Sequence, residues 1–368
     1  MVVMDACGAG ALPDAADYGD VGTDTLAHVA EAVGGLDLPV LGALGLGSIR
    51  PLLGVPPADA PVRHGRLHPL GPGKDTVCGH WELMGAVLDA PLPTFPGGFP
   101  PDVLAVLGRP WIGNVAADGT EIIARLGAEH LASGAVIVYT SADSVMQLAA
   151  HEDVIAVEEL YALCETARAA VGVGRVIARP FTGAPGSFRR IPRRRDYALE
   201  PPWSYVDVLA EGGVPVHAVG KVDDVFGGRG IGTAHPGADN PTALASVAAL
   251  VDGLEGGLVF ANLVDTDQVY GHRKDVAGFA GALRAIDAAV GAWLQALGPE
   301  DLLVLTADHG VDPLSAGWDH TREHVPLLAW FAGHGGLRHD GPMADVGASC
   351  ARWLTGADVD ELPGTAFV

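Results

Sequence analysis

Between Leu258 and Thr306 the apolar positions change period twice. They run almost without interruption from Leu258 to Val264, then recur every three or four residues at Val276, Phe279, Leu283, Ile286, Val290, Trp293 and Leu297, and become continuous again from Leu302 to Thr306. This predicts a strand, a long amphipathic helix and a second strand, joined as a right-handed crossover unit. Further β-rich runs at Val214 to Val219 and Ala135 to Thr140 alternate with helical patterns. The expected fold class is therefore α/β, with a central, mostly parallel sheet flanked by helices.

Breaks in this pattern suggest how the chain is divided. The segment DAPLPTFPGGFPPD, residues 89–102, is dense in Pro and Gly and reads as a linker. A second change comes at SFRRIPRRRDYALEPPW, which gathers Arg189, Arg190, Arg193, Arg194 and Arg195 in an otherwise acidic chain. We therefore expect an inserted domain at 92–199, with a core domain built from 1–91 and 200–368. A length of 368 residues agrees with more than one core.

Composition narrows the function. With 49% hydrophobic and 18% charged residues the chain reads as globular. A formal charge of −23 argues against nucleic acid as a partner, and it means that an anionic substrate needs local cations, metal ions among them. Cysteines 7, 78, 164 and 350 form no CxxC pair, so reduced thiols in a cytoplasmic protein are expected. The N-terminal MVVMDACGAG is a poor signal peptide, and no membrane-spanning segment or obligate protein partner is inferred.

Candidate chemistry gathers where predicted strands end, which is where ligands bind in open α/β sheets. MVVMD ends on Asp5, GLVFANLVDTDQVYGH runs into Asp265, Asp267 and His272, and DLLVLTADHG ends on Asp308 and His309. Downstream, WDHTREH adds Asp319, His320 and His324. Taken singly, Asp5 reads as a cap and His324 as an ordinary surface or core histidine. Together, carboxylates and imidazoles without thiolates suit Zn²⁺, Mn²⁺ or Fe²⁺, and there are enough of them for two metal sites. Two metals about 3.5–4 Å apart can clamp both oxygens of a phosphoryl transfer. A nucleophile would come from GKDTVCGHWELMG, which holds Thr76, Cys78, His80 and Glu82. Intrinsic reactivity favours Cys78 over Thr76, and the stretch alone leaves that choice open.

The segments VVMDACGAGALPDAADYGDVGTDT, LGLGSIR, GKDTVCGHWELMG, IVYTSADSVMQLAAHE, GRVIARPFTGAPGSFRR, TADHGVDP and DHTREHVPLLAW carry a resemblance that runs nearly end to end. The chain resembles the bacterial phosphopentomutases, metalloenzymes of the alkaline phosphatase superfamily related to cofactor-independent phosphoglycerate mutase. The resemblance implies an alkaline-phosphatase-like core with an inserted α/β cap, and two Mn²⁺ ions. One Mn²⁺ would be held by Asp267, His272 and His320, the other by Asp5, Asp308 and His309. It implies Thr76 as the phosphorylated nucleophile, a sugar bisphosphate as priming activator, and Asp143, Arg175, Ile177 and Arg190 as contacts to a small-molecule pentose phosphate. The implied reaction interconverts ribose 1-phosphate and ribose 5-phosphate, and the 2-deoxyribose pair. Departures from the family pattern at Arg195, Arg229, Val311 and Trp318 keep open a phosphatase, or a mutase for a modified pentose phosphate in secondary metabolism.

Overall fold

A computed structural model describes residues 1–141, 144–332 and 335–368. Contacts divide the chain into one unit made of Met1–Ala90 with Pro201–Val368 and a second made of Pro91–Glu200. In chain order the strands are β1 (Val2–Met4) and β2 (Arg63–His68), then β3 (Trp111–Ala116), β4 (Val136–Thr140), β5 (Val145–His151), β6 (Arg175–Thr182), β7 (Arg189–Arg190) and β8 (Arg195–Ala198). The remainder are β9 (Val216–Val219), β10 (Thr233–His235), β11 (Leu258–Leu263), β12 (Leu303–Thr306), β13 (Val325–Trp330) and β14 (Gly341–Pro342).

The first unit is built on an eight-stranded sheet in the order β10-β9-β11-β1-β12-β13-β2-β14. β1 pairs in parallel with both β11 and β12, and β9 pairs in parallel with β11. Its three residues, Val2, Val3 and Met4, are all buried, as a central parallel strand covered on both faces requires. β13 is antiparallel to β12 and to β2. The predicted strand, helix and strand all form, but the crossover joins strands two places apart because β1 lies between them. Nothing in the local pattern signals that insertion, since the pairing partner is some 260 residues away in sequence.

The helix of that crossover is Val276–Ala296, started by Asp275, whose side chain accepts from Gly278 N. By length and composition alone it could cross a membrane. Its buried stripe of Phe279, Leu283, Ile286, Val290 and Trp293 makes it a core helix. On the same buried side Asp287 accepts hydrogen bonds from Leu41 N at 2.7 Å and Val40 N at 3.3 Å. These are orphan amides in the first turn of the helix Pro39–Leu44, whose own N-cap Leu38 offers no acceptor.

The second unit has its own sheet, β3-β4-β5-β6-β7, with β8 added against β6. Alternate residues of its strands serve opposite cores. Val136, Val138, Met146, Leu148, Val176 and Ala178 pack with Leu160 and Cys164. Ile137, Tyr139, Ala149 and Phe181 pack with Ile122 and Ile123. That division follows from the two-residue period of a strand.

Replacing Asp287 with Ala leaves the buried Leu41 amide and the partly buried Val40 amide without an acceptor, which should lower stability in urea unfolding by about 1–3 kcal/mol. Unchanged stability would mean that Asp287 does not anchor the short helix.

Candidate metal centre

β1, β11 and β12 run parallel and side by side, so residues just past their carboxyl ends meet on one edge of the sheet. Asp5 follows β1, and Asp308 with His309 follows β12. After β11 the chain makes a π-helical turn, Thr266–Gly271, in which His272 N bonds back to Asp267 O at 3.1 Å. This five-residue spacing brings the two side chains together, with His272 Nε2 at 3.3 Å from Asp267 Oδ1. His320 arrives on a loop whose next residue, Thr321, bridges to Gly310. Its Nε2 lies 3.6 Å from Asp267 Oδ1 and 3.1 Å from His272 Nε2.

Two sets of ligand atoms lie within 4.8 Å of one another: Asp267, His272 and His320, and Asp5, Asp267 and His309. Asp308 stands beside the second set, its Oδ2 at 3.3 Å from His309 Nε2. His324 and Asp319 belong to neither. Asp265, the other acid after β11, is taken up by Asn240, whose backbone N–H it accepts at 3.1 Å.

The donor chemistry fits divalent metal. Asp5 Oδ1, Asp267 Oδ1 and Asp308 Oδ2 are buried without a hydrogen bond, an expensive state for carboxylate oxygens unless a cation takes the place of water. His309 Nδ1 donates to Gly310 O at 3.1 Å and His272 Nδ1 to Trp318 O at 2.7 Å. Backbone carbonyls thereby fix both imidazoles with the Nε2 lone pair facing the cluster, as in many metal-ligating histidines. The Cys7 thiol is pushed well up by burial and by the carboxylates of Asp5 and Asp308.

The carboxylates also compete with one another. Burial, reinforced by the Asp308 charge, raises Asp5 to about 8. Burial would raise Asp308 as well, but His309 and His80 outweigh it and hold its carboxyl far below the usual range. At neutral pH the metal-free cluster thus keeps a proton on Asp5, where a cation would replace it.

Lys221 and Asn262, which the sequence reading does not single out, and His80, from the stretch around Thr76, complete the site. Lys221, after β9, places Nζ 3.2 Å from Asp5 Oδ2 and 3.8 Å from Asp267 Oδ2. It lies just past a strand end, the same signal that marks the acids, though a lysine there does not by itself suggest a metal ligand. Asn262 Nδ2 donates to Asp5 Oδ2 at 3.1 Å and faces His80 Nε2 at 3.1 Å. His80 is fully buried, donates from Nδ1 to Thr76 O at 2.9 Å and approaches Asp308 Oδ2 at 3.1 Å. It therefore supports the acids and is not a base for the Thr76 hydroxyl. Glu82 is likewise spent on Leu70 N and Gly71 N.

Thr76 opens the helix Thr76–Leu83, where Asp75 caps by accepting from Val77 N and Cys78 N. Its Oγ1 lies 3.1 Å from His309 Nε2. The helix can come this close because residue 79 is Gly: a Cβ there would sit 2.2 Å from Asp308 O. Cys78 is buried on the same helix.

A model of the metalloenzyme superfamily matches residues 205–355. Over its whole length the chain is 51% identical to a phosphopentomutase of Anaeromyxobacter sp. (strain K), covering 97% of that protein. It is 47% identical to one of Symbiobacterium thermophilum, across 99% of this chain and 94% of that one. The chain belongs to the phosphopentomutase family. A phosphoglycerate mutase of Leishmania mexicana shares the fold, with a TM-score of 0.52 over 99% of this chain and 96% of that one at 13% identity.

In this phosphopentomutase family member the expected sugar-phosphate contacts fall in the second unit. Arg175 and Ile177 alternate along β6 and so share a face, while Arg190 is exposed on β7. Asp143 lies outside the described residues. Arg194 and Arg193, from the same basic run, pair with Asp196 at 2.6 Å and Glu158 at 2.6 Å.

Titrating Mn²⁺ into metal-free protein at pH 7 should release about one proton, read from calorimetric heats in buffers of different ionisation enthalpy. Asp5 ionises near 3.8 when unfolded and about 8 when folded, so the metal-free fold binds the extra proton between those values. This group's share of metal-free stability should accordingly fall as pH rises through that window. Zero proton release at pH 7 would show Asp5 already ionised.

Proposed function

We propose that this chain interconverts the 1- and 5-phosphates of ribose and of 2-deoxyribose, passing the phosphoryl group through Thr76. The supporting observation is the Thr76 hydroxyl at a capped helix N-terminus, 3.1 Å from His309 Nε2, in a chain 51% identical throughout to a phosphopentomutase. Asp5, Asp308 and His309 would hold one Mn²⁺, and Asp267, His272 and His320 the other. Bound there, the ions supply positive charge that lowers the pKa of a nearby hydroxyl and neutralises phosphoryl oxygens.

The protein's own groups do the rest. The dipole of the helix Thr76–Leu83, positive at the end where Thr76 sits, favours an anion there. The Lys221 ammonium, already among the carboxylates, provides a further cation for the transferring group. In the resting enzyme Thr76 carries the phosphate, having received it from a sugar bisphosphate. The free hydroxyl of the pentose phosphate attacks phosphorus and gives up its proton, the bond from phosphorus to Thr76 Oγ1 breaks, and Oγ1 takes up a proton to become a hydroxyl again. The sugar bisphosphate turns over and returns its other phosphate to Thr76. Arg190 and Arg175 grip the phosphate that is not reacting, and Ile177 and Asp143 contact the sugar. The cap expected at residues 92–199 would serve by keeping water from the phosphoenzyme. The substrate is a soluble anion of the cytoplasm, where the four buried thiols stay reduced.

Phosphorus NMR of ribose 5-phosphate with enzyme, Mn²⁺ and a trace of sugar bisphosphate tests this directly. Ribose 1-phosphate should accumulate to equilibrium; free phosphate as the main product would make the protein a phosphatase.

Two variants probe the parts. After incubation with a sugar bisphosphate, peptide mass analysis should place one phosphate on Thr76, and Thr76→Ala should abolish both the label and turnover. Phosphate on Cys78, or an active Thr76→Ala enzyme, contradicts the assignment. Arg190→Ala removes a charge-assisted contact worth roughly 1.5–3 kcal/mol. Mutase turnover should fall more than about tenfold while phosphoenzyme hydrolysis holds or rises. An equal fall in both would remove Arg190 from the phosphate-gripping role.

A further inference from the structure

Behind the candidate ligands lies a second buried acid that touches none of the reacting groups proposed above. The Glu323 side chain is 2% exposed and each of its oxygens is doubly hydrogen-bonded. Oε2 accepts from Gly10 N at 3.1 Å and Thr25 N at 2.9 Å. Oε1 accepts from Thr25 Oγ1 and Thr321 Oγ1, both at 2.7 Å. Four donors fill the acceptor sites of one carboxylate.

These donors come from segments far apart in sequence. Gly10 belongs to the loop that leaves β1 through Asp5, and Thr25 is the first residue of the helix Thr25–Ala32, whose N-cap Asp24 makes no side-chain cap. Thr321 follows His320 directly. The carboxylate also packs flat against two glycines: a Cβ on Gly8 would lie 2.3 Å from Oε2, and one on Gly310, beside His309, 2.5 Å from Oε1. Backbone bonds close the same knot, with Thr321 N to Gly310 O at 2.8 Å, Val311 N to Ala6 O at 3.2 Å and Ala9 N to His324 O at 2.7 Å. One side chain thus braces the loops bearing Asp5, Asp308, His309 and His320, four of the six expected ligands.

We infer that Glu323 is a positioning residue for the metal centre, setting metal affinity by holding these loops in register. The inference rests on the two-metal reading and concerns shape, not the charge of Glu323. Glutamine can keep the shape: its amide oxygen can face the two fixed backbone N–H groups while its NH₂ donates to the two threonine hydroxyls, which can rotate to accept. Alanine cannot.

The test is calorimetric titration of Mn²⁺ into metal-free parent, E323A, E323Q and T321V, each first shown to be folded at the titration temperature by circular dichroism. E323A should bind at least tenfold more weakly than the parent, and E323Q within about threefold of it. T321V, which loses one of the four donors, should weaken binding two- to fivefold, and it decides the matter if E323A does not fold. A folded E323A, or failing that T321V, with parental affinity would make Glu323 merely structural and overturn the inference. Equal losses in E323Q and E323A would assign the effect to charge and overturn it as well. A parent that takes up no Mn²⁺ would overturn the two-metal reading itself, an outcome separate from either of these.

Discussion

Three carboxylates, Asp5, Asp267 and Asp308, sit together out of contact with water, and the rest of this unit is organised around that arrangement. Like charges at such spacing repel by several kcal/mol even at an effective dielectric near 20. A fold that buries them must supply positive charge or keep protons. Without metal it does both, through the Lys221 ammonium and a proton on Asp5. With a net charge of −23 the remainder of the chain adds to the demand instead of relieving it. A site of this kind is stable when loaded with cations and strained when empty, which makes it a natural place to bind a phosphate together with its counter-ions.

The backbone meets this demand with ordinary devices in an unusual concentration. Parallel strands deliver side chains to one edge, the π turn brings Asp267 and His272 to the same point, and Gly79 lets the helix that starts at Thr76 lie against Asp308. Beneath the acids, Asn262 donates to Asp5 Oδ2 and His80 packs beside Asp308, leaving Asp5 Oδ1, Asp267 Oδ1 and Asp308 Oδ2 directed at the cluster. Supporting side chains and candidate ligands alternate so closely that few can change alone.

What was legible in the sequence follows from range. The long helix and the strands around it declare themselves because their period is local, and the observed limits, Val276–Ala296 and Leu258–Leu263, fall within a residue or so of the apolar pattern. Asp5, Asp267 and Asp308 stood out because an acid ending an apolar run is conspicuous. The placement of β1 between β11 and β12 left no such mark, nor did the bond from Asp287 to Leu41, 246 residues away. The π turn differs from an α turn by one step of hydrogen bonding, which composition does not record. Lys221 was missed because a lysine past a strand end does not by itself suggest a metal ligand. The choice of Thr76 over Cys78 came from family resemblance, since local chemistry favoured the thiol.

The position of β1 also bears on how the protein is made. Its three residues are made well before their partners, for they pair with Ala261 to Leu263 and with Leu305 and Thr306. At about 5–20 residues per second, those partners follow on the order of tens of seconds later. Through that interval the central strand of the first sheet lacks these neighbours, while residues 91–200, which form a compact unit with its own sheet, can already fold. Asp5 can meet Asp308 only after synthesis has passed residue 308. Nascent and prematurely terminated chains should therefore carry no assembled carboxylate cluster, and the cell is spared a half-built phosphoryl-transfer centre during translation.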